Sequence, residues 1–245
     1  MSSFIEIPEY YEELMSGVPY PMWVEYLKLL WANFDVNPRT VLDVCCGTGK
    51  MCRLLAEQGY EMTGVDLSAG MIRAGQGIAR REKADINLYA QDATEMRLGK
   101  KFDAAFSFFD SLNYIIDPSQ CALAIKRTAE HLNSGAAFAF DVNTPYAFEK
   151  QMFDQEDLRP KSKVRYRWRG TWDPGAKLCS VAMEFWVGKK TFSEVHVQRA
   201  HSLQELVCWM EEAGFERVRC YDAFSLDPPR GRSDRVHVVG VVGHP

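Results

Sequence analysis

From residue 40 to residue 142, short apolar runs alternate with longer amphipathic ones. This constrains the chain most, because strands joined by crossover helices build a parallel sheet with helices on both faces. Residues 40–45 form an apolar run ending in a glycine turn, and 50–58 read as a helix stopped by Gly59. A second strand is expected at 61–65, a helix capped by Ser68 to about Arg81, and a third strand at 86–90. The continuous apolar run 102–109 suits a central buried strand; a helix opened by Pro118 runs to about Leu132, and 135–142 give a fifth strand.

After residue 143 the texture changes. Residues 164–172, 178–187 and 191–199 read as consecutive antiparallel strands, with Asp173-Pro-Gly175 and Gly188-Lys-Lys as turns. Ser202 caps a helix to about Ala213, and final strands follow at 215–221 and 235–242, leaving 227–233 as a flexible loop. The 245 residues are therefore expected to form a single domain, with an N-terminal helical lid over 1–37 and an insertion of antiparallel strands over 150–200 that covers the active site.

Ligands of an open parallel sheet bind beyond the carboxyl ends of its strands, where the strand order reverses. Four aspartates fall there: Asp43, Asp66, Asp92 and Asp110. Asp43 opens Asp43-Val-Cys-Cys-Gly-Thr-Gly49, whose glycines let backbone N–H groups approach a ligand at a helix N-terminus. A dinucleotide fingerprint would need glycine at Cys52, and a P-loop would need Gly-Lys-Ser/Thr at Gly49-Lys-Met51, so neither phosphate cradle is present. Asp66 ends the second strand, where a carboxylate can accept hydrogen bonds from ribose hydroxyls, and Asp92 stands where it could accept from an adenine amino group. The pattern points to a nucleoside.

These residues resemble the class I S-adenosylmethionine-dependent methyltransferases. Val41 to Gly49 looks like their first motif, Gly64-Val-Asp-Leu-Ser68 with Met71 like the second, Gln91-Asp-Ala93 like the third, and Phe108-Phe-Asp-Ser-Leu-Asn-Tyr114 like the fourth. Tyr11-Glu-Glu-Leu-Met15 followed by Tyr20 and Trp23, together with Glu194-x-His196-x-x-Arg199, resembles the small-molecule branch that includes sugar-amine N,N-dimethyltransferases. The resemblance implies an α/β fold with a seven-stranded, mostly parallel Rossmann-like methyltransferase sheet, helices on both faces and an inserted antiparallel β layer. It implies S-adenosyl-L-methionine as cofactor, S-adenosyl-L-homocysteine as product, and in-line methyl transfer to a small-molecule acceptor, with an amine expected. Tyr11, Trp23, Asp43, Cys45, Cys46, Gly47, Asp66, Leu67, Met71, Asp92, Ala93 and Phe108 would then contact the cofactor, Tyr11 and Trp23 as a lid. Asp110, Tyr114 and His196 are the catalytic candidates, and no metal is expected. The family usually has glycine where Cys45 stands; a cysteine fits if it keeps negative φ.

Each reading has a plainer counterpart. Tyr11 and Trp23 could simply pack a helix on the domain, His196 and His201 could be satisfied structural histidines, and Cys45 and Cys46 read as small core residues rather than reactive thiols. Arg159, Lys161, Lys163, Arg165, Arg167 and Arg169 occupy successive odd positions, so a strand across them would carry every charge on one face. That face is read as solvated, with an anionic substrate, an oligomer contact or nucleic acid as rivals. The net charge of −4 (29 basic, 33 acidic) makes nucleic acid an unfavoured partner. The N-terminal acids, unpaired cysteine spacing and lack of a long apolar run predict a cytoplasmic protein with no membrane partner, and a homodimer is a further expectation. The rival functions are an RNA methyltransferase, a cofactor-binding regulatory domain without catalysis and, more distantly, a nicotinamide oxidoreductase.

Overall fold

The computed structural model describes residues 6–243. Its larger sheet has the order β10-β11-β5-β4-β1-β2-β3, formed by β1 (Thr40–Val44), β2 (Glu61–Asp66), β3 (Ile86–Ala90), β4 (Phe102–Ser107), β5 (Leu132–Asn143), β10 (Phe215–Asp222) and β11 (Arg235–Val242). β11 runs antiparallel to both neighbours and the remaining pairs are parallel. The order reverses between β1 and β4, which makes their carboxyl ends the crevice of the fold. The alternation predicted the parallel sheet with helices on both faces, and the resemblance implied the seven-stranded, mostly parallel sheet with an added antiparallel layer that is found.

Helices cover both faces. On one side α2 (Tyr20–Asn33) and α3 (Lys50–Ala56) pack Trp23, Leu27, Trp31 and Leu55 against Val41, Met62 and Phe106. On the other, α5 (Pro118–Glu130) and α7 (Leu203–Glu212) pack Ile125, Leu206 and Met210 against Leu42, Phe138 and Val238. Their starts are built locally: Asp117 accepts the N–H groups of Ser119 and Gln120, and Ser202 and Glu205 form a reciprocal capping box. α4 (Ala69–Glu82) is capped by Ser68 and passes the β1–α3 loop so closely that a Cβ at Gly75 would lie 2.5 Å from the Thr48 carbonyl oxygen.

The second sheet, β6-β7-β8-β9, consists of β6 (Gln155–Asp157), β7 (Arg165–Asp173), β8 (Leu178–Val187) and β9 (Lys190–Arg199), all antiparallel, and follows α6 (Pro145–Glu149). Its inner face packs Val181, Phe185 and Phe192 with Ile7 of the N-terminal segment and Phe148 of α6. That segment is a 3-10 turn (Ile7–Glu9) followed by α1 (Tyr11–Leu14).

Three local expectations are corrected. β4 stops at Ser107, because Phe109 and Asp110 adopt left-handed φ values of 65° and 51° that no strand can continue. β7 begins only at Arg165; Arg159 to Lys163 lie in the β6–β7 turn, so the six basic residues do not share a strand face. Cys45 has φ 64°, contrary to the negative φ expected of it, and so holds the conformation glycine would adopt without strain.

Candidate functional site

The carboxyl ends of β1, β2 and β3 bring Asp43, Asp66 and Asp92 into one row. Between β1 and α3 the backbone turns left-handed at Cys45, Gly47 and Gly49. Asp66 organises this loop: its Oδ2 accepts the Gly47 N–H at 2.8 Å and its Oδ1 the Ser68 N–H at 2.8 Å. Burial pushes its carboxyl up, and those two N–H groups oppose the shift. Asp43 is buried, which pushes its carboxyl well up, and its Oδ2 accepts the Cys52 thiol at 3.3 Å. Asp92 is fixed through Oδ1, which accepts both the Thr94 N–H (2.8 Å) and the Thr94 hydroxyl (2.7 Å). Beside them Leu67 is 72% exposed, whereas Met71, Ala93 and Phe108 are buried. Burial also pushes the Cys45 and Cys46 thiols well up, so neither is a thiolate at neutral pH, in keeping with their reading as packing residues.

The N-terminal segment is fastened over the glycine loop. Glu12 Oε1 accepts the Thr48 hydroxyl at 2.5 Å and Arg53 Nη2 at 2.9 Å; the buried Arg53 also donates from Nη1 to the Thr48 carbonyl (2.8 Å) and pairs through Nε with Glu82 (2.8 Å). Tyr11 stands next to Gly47, where a Cβ would lie 3.9 Å from Tyr11 Cε1. Trp23 is buried on α2, with its ring 4.3 Å from Phe109, 5.4 Å from Phe108, 4.6 Å from Phe224 and 5.4 Å from the Arg235 guanidinium.

A second polar group gathers at the ends of β4 and β5. Arg235 Nη2 donates to Asp110 Oδ1 at 3.0 Å, and Nη1 pairs with Asp141 Oδ2, which also accepts the Asp110 N–H at 3.0 Å. Burial pushes both carboxyls up, and Arg235 pulls against it. Gln198 of β9 donates to Asp110 Oδ2 at 2.7 Å. Tyr114 is joined through its hydroxyl to His196 Nδ1 (3.2 Å), and His196 Nε2 meets Glu194 Oε2 at 2.8 Å. Burial raises the Tyr114 phenol, which Gln198 also hydrogen-bonds. The three catalytic candidates thus lie along one polar path from the parallel sheet to the inserted one.

Several further polar groups have structural partners. His201 Nε2 meets the Ile115 carbonyl at 3.0 Å, and Asn113 bridges Asn143 and Arg199 through backbone groups. Arg159 pairs with Asp157, Lys163 with Glu13, and Arg167 and Arg169 with Glu156, so most of the basic run is neutralised locally. Among the described residues, no group of three or more His, Cys, Asp or Glu side chains is arranged to hold a metal ion, and no helix is long and apolar enough to cross a membrane.

Sequence reasoning passed over Asp141, Gln198, Arg235, Glu194 as a side chain in its own right, and the Glu12–Arg53 clamp. Carrying the rule of one acid per strand end on to the fifth strand would have found Asp141. Arg235 had no such signal, since its partners lie 94 and 125 residues away.

Comparison with known proteins gives a consistent picture. Residues 41–135 match the family described as Methyltransferase domain. A protein of Geobacillus sp. (strain WCH70), named as a methyltransferase without an acceptor, is 29% identical over 238 residues, spanning 94% of this chain and 96% of the relative. The dTDP-3-amino-3,4,6-trideoxy-alpha-D-glucopyranose N,N-dimethyltransferase of Streptomyces venezuelae is 30% identical over 115 residues, 47% of this chain and 46% of that protein. In fold, the chain is similar to a crystal structure of an S-adenosylmethionine-dependent methyltransferase from Clostridium acetobutylicum, with TM-score 0.84, 24% identity and 96% of each chain covered.

Proposed function

We propose that the chain, whose residues 41–135 match the family described as Methyltransferase domain, is an S-adenosylmethionine-dependent methyltransferase that methylates an amino group of a small molecule in the cytoplasm. The donor set fits the cofactor. Asp66 has two oxygens for ribose hydroxyls, Asp92 a carboxylate for an adenine amino group, and Leu67 an exposed apolar side chain that a ring face would cover. Asp43 and the loop from Cys45 to Gly47 would receive the methionine part, with Met71, Ala93 and Phe108 shaping the walls and Tyr11 closing over them. When bound, S-adenosylmethionine supplies an activated methyl group and leaves as S-adenosylhomocysteine.

The observation that carries the amine reading is the charge of the second polar group. Asp110 and Asp141 share a single guanidinium, Arg235, with side-chain exposures of 15%, 0% and 22%, which leaves one carboxyl beyond what the cation neutralises. Such a group favours a cationic ammonium over a phosphate-bearing polymer. An ammonium must lose a proton before its lone pair can attack. The phenol of Tyr114 can take it while passing its own proton to His196 Nδ1, and Glu194 stabilises the imidazolium that results. Asp110 would hold a remaining N–H and so orient the nucleophile. The N-terminal dimethyltransferase-like pattern and the amino-sugar relative support the same acceptor class.

The test is incubation with methyl-labelled S-adenosylmethionine and a size-fractionated cell extract. Label is expected in small amines. Label in RNA would favour the rival in which basic residues bind a polymer, and no S-adenosylhomocysteine above background would favour a regulatory domain. Asp110→Asn is expected to lower kcat roughly 10²-fold or more while the chain stays folded.

A further inference from the structure

The carboxylate of Glu194 is used on both sides. Its side chain, 7% exposed on β9, accepts from His196 through Oε2 (2.8 Å). Oε1 accepts two successive backbone N–H groups, those of Glu6 (2.8 Å) and Ile7 (3.2 Å), at the start of the N-terminal segment. Burial pushes the Glu194 carboxyl up, but His196 and these two N–H groups outweigh it and bring it down to about 2. A carboxylate can only accept, so His196 Nε2 carries the proton and, in the neutral ring, Nδ1 is left bare toward the Tyr114 hydroxyl. The opposite tautomer would point an N–H at Tyr114 and could take nothing from it.

The segment that Glu194 holds is the one fastened at its other end to the glycine loop. Ile7 is buried against the inserted sheet, Tyr10 stacks on Phe192 with centroids 5.7 Å apart, Lys190 pairs with Glu6 at 2.9 Å, and Glu12 reaches Thr48 and Arg53. Residues 6–14 therefore span from β9 to the loop between β1 and α3. We infer that Glu194 is a positioning residue that couples docking of residues 6–14 to the tautomer of His196, so that the Tyr114–His196 pair is set to receive a proton while the segment is closed over the glycine loop. The catalytic half of this inference rests on the proton path proposed above; the coupling itself does not.

Glu194→Gln in the full chain separates the two. A glutamine offers one acceptor oxygen and an NH2 group that only donates, so it cannot serve His196 Nε2–H and the two backbone N–H groups together. Two measurements need no turnover: ring ¹⁵N chemical shifts of His196, and amide hydrogen exchange across residues 6–14. Both are expected to move together, the ring away from the Nε2–H form and the segment exchanging roughly tenfold faster or more. kcat is expected to fall roughly 10- to 100-fold, less than the roughly 10²–10⁴-fold a whole general base contributes, with little change in acceptor KM. Movement of only one structural signal, or of neither, overturns the coupling. Both signals moving with kcat unchanged upholds the coupling and sinks the proton path instead. Should Glu194→Gln unfold, as far-UV circular dichroism would reveal, Glu194→Asp keeps the carboxylate on a shorter arm. The ring shift and the exchange of the segment are again expected to move together, and movement of only one, or of neither, would overturn the inference.

Discussion

His237 offers a quantitative handle on the wall behind the site. It lies on β11, fully buried, with its ring centroid 4.6 Å from that of Tyr26, 5.5 Å from Phe224, 5.6 Å from Phe108 and 5.9 Å from Trp23. Neither ring nitrogen has a hydrogen-bond partner among the described residues. Burial, with the nearby Arg235 charge, depresses the imidazole from 6.5 to about 3. The folded state then stays neutral at this position where the unfolded chain takes up a proton, so stability is intact above pH 6.5 and lost as pH falls toward 3. The limiting slope is about 1.4 kcal/mol per pH unit, which amounts to about 2 kcal/mol between pH 7.5 and 5 for a group moving from 6.5 to 3. His237→Phe removes this dependence. At pH 7.5 the two effects of the change oppose each other: two unsatisfied nitrogens are removed, a gain of roughly 1–3 kcal/mol, and a larger ring is forced into a packed site at similar cost. The discriminating quantity is therefore the pH dependence of the difference, read from urea unfolding followed by circular dichroism at a series of pH values. The variant is expected to gain about 2 kcal/mol on the native sequence between pH 7.5 and 5. Parallel profiles would mean that His237 titrates alike in both states, and the account of a dry aromatic cage would be wrong.

Asp66→Ala removes the carboxylate that holds Gly47 and Ser68 and is expected to weaken S-adenosylmethionine binding by roughly 2 kcal/mol or more, about 30-fold in Kd; unchanged affinity by calorimetry would refute the ribose role. Cys45→Gly relieves a left-handed cysteine and is expected to raise Tm by roughly 2–4 °C, the effect of about 1 kcal/mol in a chain of this size, with a fall in Tm counting against strain at that turn. Lys161 and Arg165 have no ion pair among the described residues, and changing both to Gln is expected to leave acceptor KM within roughly twofold at low and high salt. A large salt-dependent loss would reopen the polymer reading.

The fold could be read from residues 40 onward because the central strands β1, β4 and β5 are buried on both faces over most of their length, and such strands announce themselves as continuous apolar runs. The same logic reached Asp43, Asp66, Asp92 and Asp110, since strand ends are local features. It overran β4 because Phe108 and Phe109 look like more strand, and only the left-handed turn at Phe109 and Asp110 separates them from it. It misjudged the basic run because alternation describes a strand only where hydrogen-bonded neighbours exist, and β6 pairs with Tyr166 to Trp168 alone. Arg235 was out of reach for another reason: an ion pair across 125 residues is set by topology, and one sequence holds no periodic trace of it.

That long-range pair also bears on how the protein comes to be made. Asp110 and Asp141 are synthesised well before Arg235, their shared cation, leaves the ribosome on β11. Until then the ends of β4 and β5 hold two neighbouring carboxyls that cannot be desolvated cheaply as anions. This end of the sheet should therefore stay open and hydrated through most of translation, and close only when β11 slots in beside β5. A chain that stalls or is cut before Arg235 would keep the β1–β3 half while the Asp110–Asp141 end failed to set, so under the function proposed above a nascent or clipped product would sequester cofactor without ever turning it over.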